Sequence, residues 1–229
     1  MRALEKNIKG FNILEVLITL VIIGIVSAAA LPNFNSWKKE REVRGAAVKI
    51  KGLFTNITSQ VQRGHYAFVQ VHVEEEEGKL TITSKGLGME QYAEAMRVVD
   101  NWKTDFETRC AAEPTASQAT WIDVGGASNN PEVSQIEFSN VMADFEDSYG
   151  TVCFSKDGTW YSGANDFLNG EGEVISGFWI CENISDKKKC ESDKSGNPMP
   201  DHTNVFEIGW SRFGNITIEK WSGTKWVLQ

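Results

Sequence analysis

A single acidic side chain, Glu15, interrupts an otherwise apolar stretch at residues 11–31. An ionisable group within a bilayer costs about 2.5–3.5 kcal/mol on insertion scales, so a carboxylate at such a position usually marks a functional pairing. We therefore expect Glu15 to pair with a positive charge. A basic leader at residues 1–10 comes directly before the apolar stretch.

Three kinds of segment fit parts of this pattern. A secretory signal needs a basic start, a short apolar region and small residues at a cleavage site, which Arg2, Lys6, Lys9 and the alanines at 28–30 could supply. A plain membrane anchor needs about 20 apolar residues, and residues 11–31 are long enough. Neither of these two interpretations accounts for the acid at position 15.

The third interpretation accounts for the acid. The run Lys9-Gly10-Phe11-Asn12-Ile13-Leu14-Glu15, with an apolar continuation up to Pro32, resembles the prepilin signature of the type IV pilin and type II secretion pseudopilin family. The resemblance implies cleavage after Gly10 by a prepilin peptidase and N-methylation of Phe11. It also implies that Glu15 pairs with the terminal amine of a neighbouring subunit, which sets the register of the filament.

The same resemblance implies partners and a location. The partners would be other pilins or pseudopilins, the prepilin peptidase and the assembly platform of the bacterial inner membrane. The formal net charge is −8, and loss of the leader, whose net charge is +2, leaves about −10 on the body. By the positive-inside rule the leader stays cytoplasmic and the body becomes periplasmic before it enters a filament.

Four cysteines, Cys110, Cys153, Cys181 and Cys190, match no zinc or redox spacing. Export favours disulfides over free thiols. Cys181 and Cys190 bracket a short polar loop whose closure is easy, which leaves Cys110 with Cys153 by elimination. Buried free thiols are the alternative.

Catalytic motifs are absent from the sequence. His65, His72 and His202 are the only histidines, and none lies in a metalloprotease, nucleophile-elbow or haem motif. We therefore expect a protein that is not an enzyme and needs no cofactor.

Two weaker binding hypotheses follow from the family resemblance. Some pseudopilins bind calcium in a carboxyl-terminal loop, and oxygen ligands are available here at Asp193, Ser195, Asn197 and Asp201, although an ordinary polar turn fits that spacing better. Some FimT-like relatives bind DNA through basic carboxyl-terminal residues. A comparable set mixes cations with aromatic residues: Arg212, Lys220, Lys225, Trp210, Phe213, Trp221 and Trp226. In an acidic protein this patch is thin, so we expect the aromatics to be sheet core and nucleic acid not to be a partner.

The elements that position these residues form an α+β protein. Apolar residues recur at three- and four-residue steps from Val43 to Val61, which indicates an amphipathic helix. Together with the apolar stretch this predicts one helix over 11–62, bent near Pro32 and stopped by Gly64. We divide the chain into a leader (1–10), a membrane or filament-core helix (11–32), an amphipathic helix (33–63) and a β-rich body (64–229).

The body is predicted to consist mainly of antiparallel strands packed on the helix. Strands at 66–73 and 79–84 would form a hairpin whose turn is the acidic run at 74–78, a solvated tip. A second helix is predicted at 89–102 and a loop at 123–131. Further strands are predicted at 135–138, 151–155, 159–162, 174–181, 205–211, 215–221 and 225–228.

This order of elements resembles the H-type branch of the family, the FimU-like and FimT-like minor pilins and the H pseudopilin of type II secretion. A glycine-led strand, Gly150-Thr151-Val152-Cys153-Phe154, is part of that resemblance. The function implied is a minor pilin that primes assembly or lies near the tip of a type IV pilus. A minor pseudopilin of type II secretion is the alternative, and a binding protein released from a signal peptide is a third possibility.

Overall fold

The computed structural model shows an α+β protein. It divides into two compact units, with the boundary between Lys39 and Glu40. The residues that it describes are 12–76, 78–98, 110, 122–123, 135–144, 149–158, 160–162, 176–183, 190, 198–199, 204–211 and 213–229.

Helix α1 (Ile13–Gln62) belongs to both units. In its second half the apolar positions recur every three or four residues, so they form one stripe that a sheet can cover. The residues of this stripe are 0–2% exposed: Val43, Ala46, Ala47, Ile50, Phe54, Ile57 and Val61. Leu53 packs against the same core while remaining partly exposed. The amphipathic pattern thus locates the face that this part of the helix buries.

Gly64 ends α1 as the sequence predicts. Its φ of +78° is a left-handed conformation that glycine adopts without strain. The amides of Gly64 and His65 donate to the carbonyl oxygens of Val61 and Gln60, both at 3.0 Å, so the last turn of the helix is closed by main-chain hydrogen bonds.

The first of two antiparallel sheets is built around the hairpin of β1 (Phe68–Glu76) and β2 (Lys79–Leu87). Its other strands are β3 (Ile122–Asp123), β4 (Gln135–Phe138), β6 (Tyr149–Ser155) and β7 (Trp160–Ser162). The strand order is β3-β2-β1-β6-β7, and β4 also pairs with β2.

The second sheet is built from the carboxyl-terminal strands. Its members are β5 (Val141–Ala143), β8 (Gly177–Glu182), β9 (Phe206–Trp210), β10 (Ile216–Trp221) and β11 (Trp226–Leu228). The order is β11-β10-β9-β8-β5, with every pairing antiparallel. The strands of the body therefore form two separate antiparallel sheets.

The helix and both sheets share one hydrophobic core. Phe54 of α1 contacts a ring from each sheet, with centroid distances of 5.6 Å to Phe154 on β6 and 5.9 Å to Trp210 on β9. Aromatic pairs in this range favour edge and tilted packing. A single helical side chain thus joins the two sheets.

Helix α2 (Met89–Val98) follows β2. Tyr92 of this helix stacks on Phe68, with centroids 6.0 Å apart and an interplanar angle of 17°. The predicted continuation to Trp102 lies outside the described residues, as does most of the predicted loop at 123–131.

The prediction for the acidic hairpin tip was wrong about the turn and about Glu75, whereas Glu74 and Glu76 are exposed as predicted. Glu74, Glu75 and Glu76 belong to β1, because that strand pairs with β2 along its whole length. Glu75 is half-buried and accepts a hydrogen bond from the Ala143 amide at 2.9 Å, so it joins the two sheets instead of lying in solvent. The turn itself is made by Gly78, whose φ is +76°.

Candidate assembly surface

The first turn of α1 is organised by Asn12. Its Oδ1 accepts from the Leu14 amide at 3.2 Å, and its carbonyl oxygen accepts from the amides of Glu15 and Val16 at 3.0 and 3.2 Å. Asn12 is therefore the amino-terminal cap of the helix. Glu15 lies in the first turn, where a negative charge also interacts favourably with the helix dipole.

Large apolar side chains surround the helix after this cap. Those at residues 13–26 are between 44% and 80% exposed. They fall on every side of the helix, since they are separated by one, two and three residues as well as by four. The members are Ile13, Leu14, Val16, Leu17, Ile18, Leu20, Val21, Ile22, Ile23, Ile25 and Val26.

Two aromatic residues that were not predicted as functional are also exposed farther along α1. Phe34 and Trp37 are 57% and 53% exposed, with ring centroids 5.9 Å apart. Their three-residue spacing places both side chains on one side of the helix. The same spacing in the sequence could have predicted that the two aromatic residues lie next to each other.

The residues of the proposed processing site lie outside the described residues. Gly10 and Phe11 precede the first described position, so the structure does not place the cleavage site. Pro32 falls within the bounds of α1, but its side chain and any bend there are not described. Among the residues that are described, no helix has both the length and the apolar character needed to cross a membrane.

Both disulfide pairings that the sequence favoured are present. Cys110 pairs with Cys153 of β6, with Cα atoms 5.8 Å apart, and Cys181 of β8 pairs with Cys190, at 5.9 Å. All four cysteines are at most 6% exposed. Each bond therefore attaches a cysteine outside the sheets to a cysteine at a buried strand position.

The residues considered for DNA binding do not form one surface. Trp210 belongs to the core shared with α1, and Lys220 contacts Glu40 of α1. Trp221 and Trp226 pack in a separate cluster with the Cys181–Cys190 disulfide. Phe213 is 82% exposed at the β9–β10 turn, Lys225 lies in the β10–β11 turn, and Arg212 lies outside the described residues.

The calcium candidates Asp193, Ser195, Asn197 and Asp201 all lie outside the described residues. Within the described part of the chain, no group of three or more histidine, cysteine, aspartate and glutamate side chains could hold a metal ion.

A small polar cavity of about 140 Å³ lies against β1 and β2, lined by Gln70, His72, Thr83 and Lys85. His72 shares a hydrogen bond of 3.1 Å between its Nδ1 and Thr151 Oγ1. Burial lowers the pKa of His72; nearby Glu74 acts to raise it and Lys85 to lower it further. The imidazole therefore favours its neutral form. Of the other histidines, His65 is exposed and His202 lies outside the described residues.

Comparison with known proteins gives one informative similarity. No family model matches the chain, and no solved structure matches it. A fimbrial protein of Moraxella nonliquefaciens is 38% identical over 56 residues, which cover 24% of this chain and 36% of that protein. The chain thus matches little more than a third of its relative's length. Over that stretch it is similar to a fimbrial protein, which supports a pilin-like relationship and is compatible with the α+β fold.

Proposed function

We propose that this chain is a minor pilin, a structural subunit of a type IV pilus that is anchored and polymerised through α1. The observation that carries the proposal is the apolar surface at residues 13–26, which is exposed on all sides of the helix. A soluble monomer rarely exposes so large a continuous apolar surface, because lipid or other apolar helices would lower its free energy by covering it.

The mechanism is packing in two successive environments. Before assembly the apolar residues at 11–31 hold the subunit in the bacterial inner membrane, with the acidic body in the periplasm. After extraction the same residues pack against equivalent helices of other subunits in the filament. The prepilin peptidase and the inner-membrane assembly platform are the partners that act at these two stages.

Glu15 sets the axial register in this mechanism. Cleavage after Gly10 creates a cationic amine on Phe11, and the carboxylate of a neighbouring subunit neutralises it within the apolar filament core. The Asn12 cap supports this arrangement, because it holds Glu15 within the first helical turn.

A minor subunit near the tip fits this chain better than a major one. The 229 residues and the second sheet with its own disulfide add surface that helix packing does not need. The sequence resemblance to the H-type branch favours the same assignment.

The first test is the amino terminus of the mature protein. Mass spectrometry of the protein from its native host should find an N-methylated Phe11, and Gly10→Val should leave the leader attached. A mature terminus near residue 31 would instead identify a secretory signal and overturn the proposal.

The second test is incorporation into filaments. We expect Glu15→Ala to be processed normally but reduced in sheared filaments, while Thr19→Ala in the same segment behaves like the parent. Thr19 is a matched control because its hydroxyl donates within the helix, to the Val16 carbonyl oxygen at 2.8 Å. Equal incorporation of both variants would refute the role of Glu15.

A deletion strain distinguishes the pilus from the related secretion apparatus. Loss of surface pili with normal protein secretion supports a pilin. Normal piliation with retention of secreted proteins in the periplasm would assign the chain to a type II secretion system.

A further inference from the structure

The outer face of the second sheet carries two glutamates side by side. Cross-strand pairing aligns Trp179 of β8 with Glu207 of β9, and Glu207 with Glu219 of β10. Residues directly opposite each other in antiparallel strands share a face, with Cβ atoms about 4.5–5.5 Å apart. Phe206 and Ile208, which alternate with Glu207, belong to the core shared with α1, so the glutamates face away from that helix.

The two carboxylates lack a neutralising partner among the described residues. Lys220 follows Glu219 directly, but its ammonium lies on the opposite side of the sheet, against Glu40 of α1. Like charges placed opposite each other on a sheet are destabilising. Burial raises the pKa of Glu207, and the Glu219 carboxylate raises it further. A bound cation would reduce both the repulsion between the two carboxylates and the cost of burying the charge on Glu207.

Three tryptophans lie beside this pair on the same face. Ring centroids are 5.5 Å apart for Trp179 and Trp226 and 5.3 Å apart for Trp221 and Trp226. Trp179 is on β8 and Trp226 on β11, so their rings meet across the two strands that carry the glutamates. Trp179 and Trp226 remain partly exposed, which leaves ring surface for a ligand.

Trp221 adds a hydrogen-bond donor without an acceptor. The residue is 5% exposed, and its Nε1 is buried with no hydrogen-bond partner in the part of the chain that the structure describes. Buried donors in folded proteins are nearly always satisfied, so an unpaired one beside partly exposed aromatic rings is a place where a ligand's acceptor can bind. A ligand that carries an oxygen next to its positive charge supplies one.

We propose that the face formed by Trp179, Glu207, Glu219, Trp221 and Trp226 binds a small organic ammonium ion. The aromatic rings attract an alkylated cation through their π faces, and the carboxylates neutralise its charge. A neutral sugar would stack on the rings without relieving the repulsion between the carboxylates. A hard metal ion would bind the carboxylates but gain little from the rings, since calcium and magnesium prefer oxygen ligands throughout.

The test uses the full chain in a non-ionic polyoxyethylene detergent, with tryptophan fluorescence as the readout. Choline chloride should give a saturable change that sodium chloride at equal ionic strength does not give. The neutral isostere 3,3-dimethylbutan-1-ol has the same shape as choline without the charge, and we expect it to have no effect. If the isostere gave the same response as choline, binding would depend on apolar contact and not on the positive charge, and the proposal would be overturned.

Variants connect the response to these residues. Glu207→Gln, Glu219→Gln and Trp226→Leu should each weaken choline binding about tenfold, the size of a desolvated cation–π or charge contribution. Glu76→Gln, an exposed glutamate on the other sheet, is the matched control and should bind like the parent. Circular dichroism checks that each variant is folded. Unchanged binding in both glutamate variants would overturn the proposal, as would a saturable response to methyl glucoside in place of choline.

Additional binding measurements identify the kind of molecule that carries the cation. Phosphatidylcholine mixed into the same detergent micelles presents the ammonium as a lipid headgroup, and phosphatidylglycerol mixed in the same way serves as the lipid control. N-acetyl-lysine amide presents an ammonium as a protein side chain. The site is supported if an ammonium probe binds the parent chain and binds Glu219→Gln more weakly. The probe that binds most tightly then indicates whether the natural ligand is a free cation, a lipid headgroup or a protein side chain.

Discussion

The ammonium of Lys220 lies 2.5 Å from the carboxylate of Glu40, and 180 positions separate the two residues in the sequence. The pair connects β10 to the start of the helical segment that packs on the sheets. Both side chains are partly exposed, at 26% and 35%, so solvent screens the charges and the contact contributes modestly to stability.

Breaking this pair should lower stability slightly and in a salt-dependent manner. We expect a coupling energy of about 1 kcal/mol or less in a double-mutant cycle of Glu40→Gln and Lys220→Met, because the pair is partly exposed. Urea unfolding at 50 mM and 1 M sodium chloride measures it, with Lys225→Met, an exposed lysine in the next turn, as the control. A coupling that is the same at both salt concentrations would contradict an electrostatic origin.

Replacing Gly78 should destabilise the body more than replacing Gly64. Both have positive φ, +76° and +78°, so alanine introduces similar backbone strain of about 1–2 kcal/mol at each. At Gly78 a Cβ would also lie 2.9 Å from Asn183 Nδ2, which donates to the Gly78 carbonyl oxygen at 2.6 Å, whereas nothing lies within 4 Å at Gly64.

Denaturant unfolding of the two alanine variants isolates the effect of the Asn183 contact as the difference between them. Gly52→Ala in α1, where space is free and φ is not positive, should instead stabilise by about 1 kcal/mol through helix propensity. If alanine lowered the free energy of unfolding equally at positions 64 and 78, Asn183 would have moved away from the new Cβ without destabilising the protein.

Glu207 should make stability fall as pH rises above 4.5, the ordinary pKa of a glutamate. Its pKa is raised above the ordinary 4.5 by burial and by Glu219, so folding favours the protonated form. The favourable contribution is complete below 4.5 and is lost as pH rises through the raised value. Glu207→Gln should therefore raise the melting temperature at pH 7 and change it little at pH 4. A larger stabilisation at pH 4 than at pH 7 would contradict the raised pKa.

The two disulfides should contribute unequally to stability. On the chain-entropy model, the Cys110–Cys153 bond, with a sequence separation of 43, stabilises by about 4 kcal/mol. The Cys181–Cys190 bond, with a separation of 9, stabilises by about 3 kcal/mol. Paired serine substitutions of each bond, followed by thermal unfolding, measure the difference. If removal of the Cys181–Cys190 bond lowered stability more than removal of the Cys110–Cys153 bond, the entropy of the unfolded chain would not explain how these disulfides stabilise the protein.

The sequence predicted the buried face of α1 and most strands because their periodic patterns reflect burial directly. Val43 to Val61 show the helical period, and the later strands carry β-branched and aromatic residues bounded by turns. Their bounds shifted by a few residues: β8 begins at Gly177 instead of 174, and β6 begins at Tyr149 instead of 151.

Other features depend on contacts that local sequence does not encode. The three residues of β5 were missed, since so short a strand is defined by its pairing with β8. Glu74 to Glu76 were assigned to a turn because they are charged, yet pairing with β2 keeps them extended. The division into two sheets, and the alignment of Glu207 with Glu219, arise from strand order, which propensity cannot determine.

Phe54 has a consequence for how the body folds. Its ring touches Phe154 in one sheet and Phe178 and Trp210 in the other, so each sheet completes its packing only when the helix is in place. Contacts of this kind join residues about a hundred or more positions apart, and such long loops close slowly. The two sheets should therefore gain their final order together, in one cooperative step that waits for the helix to dock.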